Sequence, residues 1–327
     1  MLTYDIYSIA RAVALIEDME RLRYLQAMSN AAWQPVVACM RAHVSDAAVQ
    51  RRGAQAVSEL GKYHYDAIVA AGACEAVVDG MRAHVSDAAV QRYGAETITR
   101  LAKRSCIITL VTVGACEVIL AGMRAHASNA AVQRRCADAV VYLTMDVRGC
   151  KRLIAAGACE AVVDGMRAHV SIAVVHRLCA RAVMCLVVNV AVRTRLVAAG
   201  ACEAAADGMR AHASDAAVQK ACAEAVTCLA ADVRGRTRLV AAGACEAVVE
   251  GMRAHASDTF VQRWCAKAIV CLAVDVAGRT RLVAAGACEA AADAMYAHMS
   301  DAAVQKACAE VIVRLHSRRR LRSARVA

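Results

Sequence analysis

Four residues, Gly-Ala-Cys-Glu, recur at Gly72, Gly114, Gly157, Gly200, Gly243 and Gly286, at intervals of 42, 43, 43, 43 and 43 residues. So constant a period constrains the chain more than any composition does. Each period is one supersecondary unit that cannot bury its own apolar stripe, so successive units must stack. Two further markers keep the same register. Met-Arg-Ala-His ends at His43, His84, His126, His169, His212 and His255, with Met295-Tyr-Ala-His298 as the seventh copy. Ser-Asp-Ala-Ala-Val-Gln begins at Ser45, Ser86, Ser214 and Ser300, with near-copies at Ser128, Ser171 and Ser257. Seven units of 42–43 residues therefore fill residues 28–316. Residues 10–16 resemble Ala223–Leu229, so an incomplete unit is expected to cap the chain within residues 1–27, and residues 317–327 form a basic tail.

The unit reads as helical. Pro35 is the only proline in 327 residues, and alanine, the best helix former, is abundant. Within residues 236–273, Arg236 to Ala242 form a short basic and apolar stretch that stops at Gly243, a residue able to turn sharply. Val248, Val249 and Met252 lie at i, i+1 and i+4, one apolar stripe of a second helix. Ser257-Asp258 offers side-chain oxygens to the free N–H groups of a third, in which Val261, Cys265, Ile269 and Leu272 share a face. One short helix and two longer ones make up each unit.

The mean hydropathy of +0.40 raises the question of membrane spans. The longest apolar runs, Cys106–Cys116 and Ala182–Val192, fall short of the roughly 20 residues a spanning helix needs. Asp5, Glu17 and Asp18 interrupt any opening signal peptide. Seventeen cysteines, an odd number, point to free thiols in a reducing compartment, and a cytoplasmic or nuclear location is the expectation. The formal charge of +11 favours acidic partners.

These residues resemble the armadillo repeat family, whose unit is about 42 residues in three helices, with an Ala-Gly turn after the first and Val-Gln opening the third. Ala71-Gly72, Ala156-Gly157, Ala199-Gly200, Ala242-Gly243 and Ala285-Gly286 match the turn, and Val90-Gln91, Val132-Gln133, Val218-Gln219, Val261-Gln262 and Val304-Gln305 match the opening. The resemblance covers residues 10–316. HEAT repeats, the nearest alternative, pair two helices and usually carry a proline in the first, which these units lack. The resemblance implies an all-α, right-handed solenoid whose third helices line a concave groove for an extended partner. The importin-α branch clamps basic peptides with a Trp and an Asn ladder there. The Trp positions here are Gln55, Glu96, Asp138, Arg181, Glu224, Lys267 and Glu310, and the Asn positions are Glu59, Arg100, Tyr142, Cys185, Cys228, Cys271 and Arg314. Neither ladder is present, so that mode is not expected.

The cysteine ladders, Cys74 to Cys288 and Cys136 to Cys308, repeat at one helix spacing, roughly 8–10 Å, too far for a disulfide or shared metal. They read as packing, although Cys185, Cys228 and Cys271 fall at groove positions as candidate exposed thiols. Cys202 and His212 are ten residues apart on one helix, about 15 Å, so no Cys–His pair forms within a unit. No catalytic, metal or cofactor site is expected. Basic ladders run through the first helices (Arg152, Arg195, Arg238, Arg281) and the second (Arg41, Arg82, Arg124, Arg167, Arg210, Arg253). With the tail residues Arg318, Arg319, Arg320 and Arg322 they offer the alternative function, an array binding acidic lipid or nucleic acid. The competing reading is a solvated face.

The units differ most on the third helices. The candidate partner-binding residues are Arg92, Tyr93, Glu96, Arg100, Arg134, Asp138, Tyr142, Arg181, Lys220, Glu224, Arg263, Trp264, Lys267 and Arg314. Tyr, Trp and Arg most often carry interface energy. A protein scaffold without catalytic activity, holding an extended and acidic peptide or protein, is the expected function. Drift on an unconstrained surface is the competing explanation.

Overall fold

A computed structural model describes residues 33–60, 65–103 and 106–316. The described residues form twenty helices and no strand. The partial unit expected in residues 1–27 and the tail with Arg318, Arg319, Arg320 and Arg322 lie outside them. The chain forms two compact units, one up to Ala161 and one from Val162. The first holds Trp33–Ala42 and Ala47–Leu60, the second and third helices of repeat one. Repeat two follows as Tyr65–Ala70, Ala73–Ala83 and Ala88–Ala102, and repeat three as Ile107–Val113, Ala115–Ala125 and Ala130–Leu143. Val147–Ala155 opens repeat four, whose second helix, Ala158–Ala168, contains the boundary. The second unit continues with Ala173–Leu186, then Val190–Ala199, Ala201–Ala211 and Ala216–Leu229. Repeat six is Val233–Ala241, Ala244–Ala254 and Thr259–Leu272, and repeat seven is Val276–Ala284, Ala287–Ala297 and Ala302–His316.

The helix boundaries follow local chemistry. Gly243 has φ 83°, and the five equivalent glycines share this left-handed conformation, which a side chain would resist. Asp258 caps the third helix by accepting from the Phe260 and Val261 N–H groups at 2.9 and 3.0 Å. Asp46, Asp87, Asn129, Asp215 and Asp301 do the same in their repeats. Ile172 stands at this position in repeat four and offers no cap. The first helix of repeat six starts three residues earlier than the apolar pattern indicates, because Asp232 accepts from the Gly235 N–H at 2.8 Å. Val248, Val249, Met252, Val261, Cys265, Ile269 and Leu272 are all buried, as the stripes require.

Recurring polar residues join the helices. The amide nitrogen of Gln262 donates to the Met252 and His255 carbonyls at 2.6 and 2.9 Å, closing the second helix of its own repeat. Gln50, Gln91, Gln133, Gln219 and Gln305 make the equivalent bonds. Histidine reaches the preceding repeat: Nε2 of His84, His126, His212, His255 and His298 lies 2.6–2.8 Å from the carbonyls of Val44, Val85, Val170, Ala213 and Ala256. Arginine of the second helix reaches the following repeat. Arg210 donates to the Ala242 carbonyl at 2.9 Å and Arg253 to Ala285 at 3.0 Å, capping the end of the next first helix. Buried thiols of Cys202 and Cys245 point at the Gly235 and Gly278 carbonyls, 3.8 Å away.

Repeat four departs from this pattern. His176 replaces the glutamine and is fully buried. The carbonyls of Met166 and Ala204 face its ring, but neither ring nitrogen closes a hydrogen bond. Burial, then the neighbouring His212, lowers its pKa to about 4.

Among the described residues no single helix is long and apolar enough to cross a membrane. Ile107–Val113 and Ala115–Ala125 reach that length only together, across a bend of 69°.

Candidate third-helix interaction face

Within each unit the third helices lie side by side. Residues 47–60, 88–102 and 130–143 are neighbours in the first unit, and 173–186, 216–229, 259–272 and 302–316 in the second. Their inward stripes are occupied by packing, so the side chains between the stripes form a face whose chemistry can vary without disturbing the core. Equivalent positions, one period apart, form rows across that face.

In the first unit the row through Gln55, Glu96 and Asp138 is acidic. The Glu96 charge is taken up internally. Arg100 Nη2 donates to Glu96 at 2.8 Å, and Arg135 Nη2 lies 3.1 Å from the other Glu96 oxygen. Arg100 Nη1 also donates to Glu59 at 3.0 Å and to the Ser58 carbonyl at 2.8 Å. The guanidinium of Arg92 stacks on Tyr93 at 4.2 Å, and the Lys103 ammonium sits 4.5 Å from the Tyr142 ring centroid. Arg134 is exposed and Asp138 half-buried.

The corresponding row of the second unit runs Arg181, Glu224, Lys267 and Glu310, two cations and two acids, with Glu224 buried and Glu310 exposed. Glu224 is only 9% exposed. Burial raises its pKa, opposed by the charges of Lys220, Arg181 and Lys267 around it. Lys220 Nζ is 3.9 Å from the carboxylate and also lies over the Phe260 ring at 4.8 Å. The Lys267 ammonium lies 4.2 Å from the Trp264 centroid. Lys267 and Arg314 are exposed, and Arg181, Lys220, Arg263 and Trp264 half-buried. Phe260, 54% exposed, belongs to this face and is absent from the residues singled out in the sequence. The available signal is that the chain's one phenylalanine opens a third helix where the equivalent residues are Val174, Ala217 and Ala303.

The other ladders are engaged elsewhere. Cys228 and Cys271 are half-buried rather than open thiols, and burial raises both pKa values. Cys116, Cys202 and Cys245 are pushed up to about 12 by burial first and by the adjacent glutamates second. In the basic ridge, Arg152, Arg238 and Arg281 donate to Glu117, Glu203 and Glu246 of the preceding repeat at 2.7–2.9 Å. Arg236 is 8% exposed, bonded to Asp275 at 2.8 Å and to the Ala230 carbonyl at 3.1 Å. These four arginines therefore fasten repeat to repeat.

No family model matches the chain, and no curated protein matches it in sequence. Solved structures match its fold. An engineered protein aligns with a TM-score of 0.70 at 21% identity, covering 90% of this chain and 77% of that one. A designed armadillo repeat protein in complex with the peptide (KR)4 aligns at 0.61 and 18% identity, covering 74% of this chain and 99% of its own. A chain from a study of the interaction between cadherin and beta-catenin aligns at 0.57 and 14% identity, covering 94% of this chain and 65% of that one. The fold is thus an all-α array of armadillo-type repeats.

Proposed function

We propose that the protein is a scaffold without catalytic activity of its own, and that it holds an extended segment of a partner protein against its third helices. The observation that carries this reading is a division of labour. Glutamine, histidine, second-helix arginine and cysteine ladders are engaged in backbone contacts, whereas Tyr93, Tyr142, Phe260, Trp264 and the cations stacked on them occupy the third-helix face. Aromatic and guanidinium groups at a partly desolvated surface are the side chains that most often dominate binding energy. Two solved relatives in fold support the class: one is described in complex with a peptide, the other in a study of cadherin and beta-catenin. The alternative, a polyanion array on the outer basic ridges, loses support because Arg152, Arg238 and Arg281 already pair with glutamates.

Selection from a random displayed peptide library tests the proposal. Peptides enriched on the protein should lose binding to the Trp264→Ala, Arg263→Glu double variant while its helical circular dichroism persists. Enriched peptides that bind this variant and a Tyr93→Ala, Arg134→Glu variant as well as the original protein would refute it.

A further inference from the structure

We infer that the second unit carries the binding specificity, and that it selects an acidic extended peptide; this rests on the third-helix reading proposed above. The two units present different rows: the second opens with Arg181, the buried Glu224 and Lys267, and ends on the exposed Glu310. In the first, Glu96 and Asp138 stand where the second has Arg181 and Lys267, and Glu96 is already bracketed by Arg100 and Arg135. On that face an incoming carboxylate meets the acidic row beside the exposed Arg134 and the Tyr93-stacked Arg92.

In the second unit three cations, Arg181, Lys220 and Lys267, surround one buried carboxylate. Glu224 neutralises at most one of them and, being 9% exposed, presents little negative surface to a ligand. Lys220 and Lys267 are steadied over Phe260 and Trp264, which lowers the entropy lost when either meets an anion. The rings supply apolar surface beside the charges. A carboxylate there gains charge-assisted hydrogen bonds at a site partly shielded from water. Neighbouring third helices are about 8–10 Å apart and an extended chain rises about 3.4 Å per residue, so roughly three residues pass each repeat. Acidic residues roughly six apart then meet Arg181 and Lys267, and a neutral residue faces Glu224 between them.

Fluorescence anisotropy of a labelled (Glu-Asp)4 octapeptide on the whole protein, at about 0.1 M salt, tests this directly. Reversal of the second-unit cations (Arg181→Glu with Lys267→Glu) should weaken binding at least about tenfold, and the first-unit pair (Arg92→Glu with Arg134→Glu) should change it by less than about twofold. Glu224→Gln should tighten it. Should the reversed variant lose helicity, Arg181→Gln with Lys267→Gln gives the same comparison without buried repulsion. Four outcomes overturn the inference: no binding by the unaltered protein, equal loss in both unit variants, tighter binding of (Lys-Arg)4, or equally tight, Arg181-independent binding of heparin. If library peptides are non-acidic yet depend on Trp264, this inference falls while the third-helix reading stands.

Discussion

At Ile172 the chain forgoes a helix cap that Asp or Asn supplies in each of the other six repeats. Ile172→Asp should therefore stabilise the protein by about 1 kcal/mol, read as a higher urea midpoint with an unchanged slope. Four residues on, His176 is buried and neutral, near His212 and Asp207, with a pKa lowered to about 4. In the unfolded chain the same side chain titrates near about 6.5. Between those values only the unfolded state holds the extra proton, so the contribution is complete above the unfolded pKa. It is lost as pH falls towards the folded one, on the order of 3 kcal/mol in total. His176→Gln should remove that acid sensitivity and restore the amide bonds made by Gln219 and Gln262. Parallel denaturation at pH 7.5 and pH 4.5 checks it; an unchanged pH dependence in the variant would mean His176 is not its source.

At the scale of the element, glutamines of the third helices close second helices, and Arg210 and Arg253 close the first helices of the repeats that follow. Gln262→Ala removes the amide that closes the second helix of repeat six and should cost about 1–3 kcal/mol, because the Met252 carbonyl stays buried. Arg238→Ala, whose partner Glu203 is partly exposed, should cost less than about 1 kcal/mol. The buried thiols of Cys179, Cys202 and Cys265, with pKa values near 12, should resist a thiol reagent at pH 8 in the native state. Half-buried Cys185, Cys228, Cys271 and Cys288 should react slowly, and all 17 should react after denaturation. A lower final count would reveal disulfides. The helices themselves were legible in the sequence, since Gly243, Asp258 and the Val261 to Leu272 stripe encode turn, cap and core locally. The bonds between repeats were not. His255 to the Ala213 carbonyl, or Arg253 to Ala285, joins residues 42 and 32 apart through the main chain, and a carbonyl leaves no mark in a sequence. For the same reason the basic ladders read as open ridges although Arg152, Arg210, Arg238, Arg253 and Arg281 are occupied.

Across the whole molecule, duplication has kept the joining residues nearly constant and left the third-helix face to diverge. Candidate residues there were legible because they break the repetition, but their pairing was not. Nothing in the sequence distinguishes Glu96, held by two arginines, from Glu224, sunk beneath three cations. The formal charge of +11 is accordingly a poor guide to where an anion binds. Reversing Arg238 and Arg281 together should leave (Glu-Asp)4 affinity within about twofold, since those groups belong to the joints between repeats. The central claim is that partners lie on the third helices and not on the ridges. A photo-reactive phenylalanine analogue placed in turn at Trp264 and at exposed Val233, with a labelled library-selected peptide present, tests it most directly. Binding along the third helices gives a cross-linked adduct from position 264 and none from position 233; an adduct from 233 alone would place the partner on the ridges instead.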